Sequence, residues 1–265
     1  MEKTAPRIEI FPQTLSWGEV LWASSHPIGP ENLTLKVVID DAPNLPPDII
    51  IPEISGNKQM LGLIAVTGTS ENPVLTTKLT DYRNHVGTNL NQGNFEKIRA
   101  THPELLANGI VVCSLIFTSD NRLVLGNRMN GLPGVIGGTL NTDEKRPMTY
   151  SYHLFMHMED EIQEELGWSE NEFESASTRL LGIVLNGKKL RPLLVFVTST
   201  SLTSDEINRI FNDRGNKEEH TGLIFLENTP QNLSQFLADH PNDASTTLAT
   251  LDSLKLYGIT HPIFL

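Results

Sequence analysis

Three glutamates crowd one short stretch of this chain: Glu161, Glu164 and Glu165, within HLFMHMEDEIQEELGW (153–168). Successive residues of a helix turn by about 100°, so Phe155, Met158, Ile162 and Leu166 fall in a narrow arc and read as a buried stripe. Glu161 and Glu165 then lie about 40° apart on the flank of that stripe, and Glu164 lies one step further round. Like charges at such spacings repel by a few tenths of a kcal/mol per pair. A hard cation such as Mg²⁺, or Mn²⁺ in its place, takes oxygen ligands and would convert that repulsion into binding. Glu161 and Glu165 are the first choice as direct ligands, with Glu164 as a third ligand or a water-orienting group. Standing alone, E-x-x-E-E reads more readily as a solvated acidic face, so its surroundings must decide.

Upstream, Gly137-Gly138 is followed after five residues by Glu144, and the helix pattern ends in Gly167-Trp168. The combination G-x5-E … D-E-I-Q-E-E-L-G-W resembles the Nudix superfamily, whose signature is G-x5-E-x7-R-E-U-x-E-E-x-G-U, with U a bulky apolar residue. Glu161, Ile162, Glu164, Glu165, Gly167 and Trp168 occupy the matching positions. Two departures stand out. Asp160 replaces the usual arginine, and fifteen residues rather than seven follow Glu144. The family's internal Arg–Glu brace is therefore missing, and Glu144 is not counted among the site residues.

Other segments are similar to the animal UDP-sugar diphosphatase branch of that superfamily: LTDYRNHVGTN (79–89), LFMHMEDEIQEEL (154–166), SLTSDEINRIF (201–211) and EEHTGLIFLEN (218–228). The resemblance implies an α/β fold, an α/β/α sandwich with a mixed sheet, plus an N-terminal β-rich extension or small domain. It also implies Mg²⁺-dependent hydrolysis of UDP-glucose or UDP-galactose to UMP and the sugar 1-phosphate. Other nucleoside diphosphates, such as ADP-ribose or a dinucleotide, are the alternative substrates. A catalytically silent, nucleotide-sensing module is the rival outside enzymes. Glu219 becomes a candidate general base, and Arg128 a phosphate-contacting arginine suited to bidentate binding. Tyr82 and Arg83, in the segment ending Gly87-Thr88-Asn89, could stack on a base and grip phosphate; a surface turn is the plainer alternative there. Gly137 and Gly138 read as glycines that permit tight turns and close approach to a ligand.

These residues need elements to hold them. Leu33 to Ile39, Met60 to Thr67 and Val74 to Leu79 are short apolar runs that read as strands. Prolines make DDAPNLPPD (40–48) a loop, and residues 93–107 have weak helical character. From Ile110 the texture changes. IVVCSLIFT and RLVLGNR are strands joined by a turn at 119–121, and GLPGVIGGTL (131–140) is a glycine-rich loop. The carboxylate helix follows and should stop at Gly167 as a C′ residue. RLLGIVL and RPLLVFV flank the hairpin signal Asn186-Gly187. TGLIFL (221–226) is a further strand, and 230–239 and 246–257 are closing helices. A division near residue 108 separates an N-terminal β-rich region (1–107), which contributes to the substrate pocket, from the main domain (108–265).

Composition narrows the function classes. A net charge of −12 disfavours general nucleic-acid binding, which depends on Lys and Arg. Small phosphorylated ligands remain open, since a metal and a few local cations can invert the field at one site. No apolar run approaches membrane-spanning length, and MEKTAPRIEIFPQ lacks a signal-peptide core. The single cysteine, Cys113, reads as a buried core thiol of a cytoplasmic protein. His153 and His157 share zinc-pair spacing but have no third ligand, and the glycine loop lacks a P-loop's Gly-Lys-Ser/Thr ending. The expected partners are thus a small nucleoside diphosphate sugar and a divalent metal, with no nucleic acid and no membrane; the oligomeric state is open.

Overall fold

The computed structural model describes residues 18–38, 46, 49, 51–142, 150–174, 176–186, 191–242 and 246–261. The chain runs β1 (Gly18–Ile28), β2 (Thr34–Val38), β3 (Gln59–Gly68), β4 (Pro73–Asp81), α1 (Tyr82–His85), α2 (Gln92–Thr101), β5 (Val111–Phe117), β6 (Arg122–Arg128), β7 (Pro133–Gly134) and β8 (Asn141–Thr142). It continues through α3 (Ser151–Leu166), α4 (Glu170–Glu174), β9 (Ser177–Asn186), β10 (Arg191–Ser199), α5 (Ser204–Arg214), β11 (His220–Glu227), α6 (Pro230–Asp239) and α7 (Leu248–Thr260). Glu144, Gly187, Lys188 and Lys189 lie outside the described residues.

The large sheet has the order β1-β9-β10-β5-β6-β11, with β7 against β6. β5 and β10 run parallel and their neighbours antiparallel, so the sheet is mixed. Period-two alternation sends side chains of one strand to opposite faces. From β5, Val112 and Ile116 pack with Phe155, Met158, Ile162 and Leu166 of α3 and with Ile207 and Phe211 of α5. Its alternate residues Cys113, Leu115 and Phe117 pack with Leu233 and Phe236 of α6 and Leu254 and Tyr257 of α7. Helices therefore cover both faces, giving the mixed α/β/α sandwich that the resemblance implies. A second sheet, β2-β4-β3-β8, adds the expected extra β region, and Leu61, Leu63 and Leu75 join the α3-side core.

The carboxylate helix forms as its pattern requires. Phe155, Met158, Ile162 and Leu166 are each at most 2% exposed, and burial of such side chains contributes about 1.5–3 kcal/mol each. Phe155 meets Phe196 of β10 edge to face, with ring centroids 5.1 Å apart, which fixes the helix's rotation over the sheet. The helix begins at Ser151, two residues before the expected His153, and stops where Gly167 adopts φ 73°. That left-handed C′ position suits glycine.

Besides short pieces such as α1, α4, β7 and β8, two longer elements are missing from the sequence reading, β1 and α5. β1 crosses the polar segment Ser24-Ser25-His26-Pro27 and pairs with β9 through two register shifts. Bulges break the alternation by which a strand is recognised. The N-terminal hundred residues thus supply the outer strand of the large sheet. α5 also escaped notice, although its Thr203/Glu206 capping box is a legible start signal. Cys113 is buried at 1% exposure beside Ser253 Oγ at 3.2 Å. Burial pushes its thiol pKa up to about 12, so it is an inert core group.

Candidate functional site

Because α3 lays its apolar stripe against the sheet, its flank carries Glu161 and Glu165 inward while Glu164 stays exposed. Glu165 is only 1% exposed. One of its oxygens accepts from the Gly137 N–H at 3.0 Å, and the other lies 2.5 Å from His220 Nε2. Burial raises the Glu165 pKa, and the His220 contact and the Gly137 N–H oppose that rise. Glu161 Oε1 lies 3.3 Å from His157 Nε2. Burial first, then the charges of Glu165, Glu164, Glu219 and Asp160, push the Glu161 carboxyl up to about 8. Glu165, the exposed Glu219 and the fully buried His220 each place a ligand atom within 4.8 Å of the others.

The glycine loop is the opposite wall. Its segment 136–140 runs antiparallel beside β5, with Ser114 N–H donating to Ile136 O and Val112 N–H to Gly138 O. Gly137 has φ 147°, and a Cβ there would stand 2.2 Å from Val112 O. A Cβ on Gly138 would meet Glu161 Oε2 at 2.4 Å. Gly137 therefore lets the loop lie close against the β5 backbone, and Gly138 leaves room for the Glu161 carboxylate.

Two arginines stand beside the loop, Arg128 at the end of β6 against Gly134 and Arg191 at the start of β10. Arg191 Nη2 donates to Thr139 Oγ1 at 3.0 Å. Burial lowers its pKa, Tyr82 opposes that shift and Arg128 adds to it, so the three side chains are electrostatic neighbours. The exposed Tyr82 thus belongs to this end of the site. Arg83 is exposed, and among the described residues its guanidinium makes no hydrogen bond or ion pair. Asn89 is 2% exposed and braces the fold, exchanging side-chain bonds with Thr88 and Asn108.

Sequence reasoning did not point to His220 or Arg191, and it gave His157 no place in this site. The first two reach the site across 55 and 52 residues of chain, and no spacing signals such contacts. His157 was set aside for lack of zinc partners. In the structure it contacts Glu161 and the Thr139 carbonyl, the latter at 3.1 Å.

The donor set fits a hard divalent cation. Glu165, Glu219 and His220 bring ligand atoms together, Glu161 and Glu164 add their charges beside them, and among the described residues no Lys or Arg forms an ion pair with any of the four carboxylates. Crowded, desolvated like charges without a counterion are costly. A cation between them removes that cost.

No family model matches the chain, and no curated protein matches it. Among solved structures it is similar to Tm1382, named as a candidate Nudix hydrolase (14% identity, 57% of this chain and 71% of that one, TM-score 0.38). It is also similar to the MutT protein from Methanosarcina mazei Go1 (16%, 56% and 90%, TM-score 0.34) and a NUDIX-family hydrolase from Clostridium perfringens (11%, 56% and 97%, TM-score 0.32). At these identities and TM-scores the likenesses carry no argument, and fold and site alike stand on this chain's own geometry.

Proposed function

We propose that this chain hydrolyses the diphosphate bond of a nucleoside diphosphate sugar with the help of a divalent cation, Mg²⁺ or Mn²⁺. UDP-glucose and UDP-galactose, giving UMP and the sugar 1-phosphate, are the substrates that the sequence resemblance favours. One observation carries the reading: the buried Glu165 and partly buried Glu161 stand with Glu164 and Glu219 without a Lys or Arg counter-charge, and Arg191 and Arg128 are neighbours at the other end of the glycine loop's contacts. Such a site has complementary places for a metal and for phosphoryl oxygens.

Glu161 and Glu165 would hold the cation, with Glu164 at the exposed margin. When bound, it would neutralise phosphoryl oxygens and lower the pKa of a bound water. Gly137 N–H and His220 fix the Glu165 carboxylate in one orientation, the outer support that metal ligands commonly need. The exposed Glu219 adjoins this cluster and would accept a proton from the attacking water. Arg128 would orient the diphosphate through paired hydrogen bonds, and Tyr82 would offer a ring to the nucleoside. Phosphoryl transfer asks mainly for positioning and charge stabilisation, both of which these groups supply. In this reading residues 1–107 shape the pocket and 108–265 carry the chemistry. The protein works in the cytoplasm on small molecules, with neither nucleic acid nor membrane as partner; among the described residues no helix is long and apolar enough to cross one.

Asp160 in place of the family's arginine favours a second reading, a nucleotide sensor without turnover. A panel of UDP-glucose, UDP-galactose, ADP-ribose, a diadenosine polyphosphate and NADH, with and without Mg²⁺ and with products identified by mass, separates the two. Metal-dependent UMP and hexose 1-phosphate are the expected products. Turnover of another member replaces the substrate, and no turnover by a folded protein installs the sensor.

A further inference from the structure

Two carboxylates one turn apart on a helix repel, so something must fix where each one points. Glu165 has two such restraints, the Gly137 N–H on one oxygen and His220 on the other. Glu161 is held differently. α3 contains no lysine or arginine, and Asp160 stands where the resemblance would place an arginine. Among the described residues the polar group that meets Glu161 is His157, one turn earlier on the same helix.

Nε2 of His157 lies 3.3 Å from Glu161 Oε1 and 3.1 Å from the carbonyl oxygen of Thr139. Both neighbours are acceptors, and a ring lone pair between them would repel both. Nε2 therefore carries the proton and donates to each, in the neutral ring and the charged ring alike. The side chains of His157 and Glu161 are only 14% and 20% exposed, so the contact is largely shielded from water, where a hydrogen bond is stronger. Glu161 Oε2 takes up the space beside Gly138, where a Cβ would stand 2.4 Å from it. Three consecutive loop residues thus meet the two glutamates. Gly137 N–H holds Glu165, Gly138 makes room for Glu161, and Thr139 anchors the histidine that holds Glu161. That anchor is a main-chain carbonyl, so the Thr139 side chain is not needed for it.

We propose that His157 is a positioning residue of the cation centre: it ties the Glu161 carboxylate to the glycine loop, so that Glu161 and Glu165 present their oxygens to one ion. Carboxylates that ligate a metal are themselves commonly hydrogen-bonded, and loss of such a contact weakens metal binding. The role differs from a ligand's. A ring nitrogen that carries a proton cannot bind a metal, so Nε2 of His157 acts through Glu161. The spacing of His153 and His157 on α3 then has nothing to do with zinc. This inference rests on the reading above that Glu161 and Glu165 hold a divalent cation.

The test is titration of the full chain with Mn²⁺ alone, the free ion being read by electron paramagnetic resonance, for wild type, His157→Phe and His153→Phe. His157→Phe keeps a ring and removes the donor. It should weaken Mn²⁺ binding about 10- to 100-fold, while the melting temperature in EDTA falls by no more than about 2–4 °C, the shift for one hydrogen bond. His153→Phe alters α3 one turn earlier and should bind Mn²⁺ as wild type does. If His157→Phe does not fold, His157→Asn, whose shorter amide cannot reach both acceptors, carries the same expectation. Wild-type affinity in the His157 variant that folds overturns the inference. So does an equal loss in His153→Phe, which would make the effect one of the helix. Hydrolysis of UDP-glucose with Mg²⁺ is scored separately on the wild-type chain. His157-dependent Mn²⁺ binding without hydrolysis keeps the positioning role and discards the enzyme reading. Hydrolysis with His157-independent Mn²⁺ binding does the reverse, and a wild-type chain that binds no Mn²⁺ overturns both.

Discussion

Two buried carboxylate regions lie on opposite faces of the large sheet, and they handle charge differently. On the α7 face Asp252 is alone: 1% exposed, with Asn186 Nδ2 at 3.4 Å from one oxygen, the other oxygen unpartnered, and Lys255 close enough to lower its pKa. On the α3 face Glu161 and Glu165 are crowded by Glu164 and Glu219. Burial raises all three buried carboxyls, Asp252 to about 6 and Glu161 to about 8. A lone buried acid can be quieted by an amide and one proton. Repeated acids at one place, with arginines nearby but unpaired, have a use that a proton does not satisfy.

The comparison breaks first at Glu165. Glu165→Gln keeps size and removes one charge, and turnover of the best substrate should fall by about 10²–10³-fold, the scale for losing one well-placed electrostatic group. Near-normal turnover in a folded, Mg²⁺-saturated variant would reduce the α3 cluster to another Asp252. Asp252→Asn probes the other side. The folded state holds this proton to about pH 6, whereas an ordinary aspartate releases it near 3.8, so stability is full below pH 3.8 and lost as pH rises through 6. Asp252→Asn should therefore gain up to about 3 kcal/mol at pH 7, from 1.36 kcal/mol per pKa unit, and nothing below pH 3.8. Melting curves across that range decide it, and a pH-independent gain removes the titration explanation.

His220→Gln comes next. It should cost about 10- to 100-fold in Mg²⁺ affinity, as loss of a ligand's supporting contact does, read by metal titration. Unchanged affinity would make His220 a packing residue. The smallest effect belongs to Thr139→Val, nearly isosteric, which deletes the Arg191 contact. About 1 kcal/mol of stability should be lost on melting, while Mg²⁺ affinity holds. Loss of Mg²⁺ affinity as well would mean that the Thr139 hydroxyl also supports the carboxylates through His157.

Much of this was legible in the sequence because it is local. The α3 stripe, Gly167 and the glycine loop follow from spacings of a few residues, and so do β5, β6 and β11. β1 was not legible, since bulges and the polar run Ser24-Ser25-His26 erase alternation. Nor were His220 and Arg191, whose partners are tens of residues away, because the meeting of β11 and β10 with α3 and the loop is a property of topology. Asn89 shows the reverse. Its place in a motif suggested ligand contact, while the structure commits its amide to Thr88 and Asn108.

The pairing of β1 with β9 has a kinetic consequence. Val20 lies opposite Val184, so this edge cannot zip until β9 has been made, well over a hundred residues later in the chain. At about 5–20 residues per second on a ribosome, that interval is roughly 10–30 s. Throughout it the β1 segment has no partner strand to join. Long-range closure of this kind is slow and exposes strand edges to other chains. The bulged, serine- and proline-interrupted character of β1, which hid it from sequence reading, also makes it a poor template for intermolecular pairing while it waits.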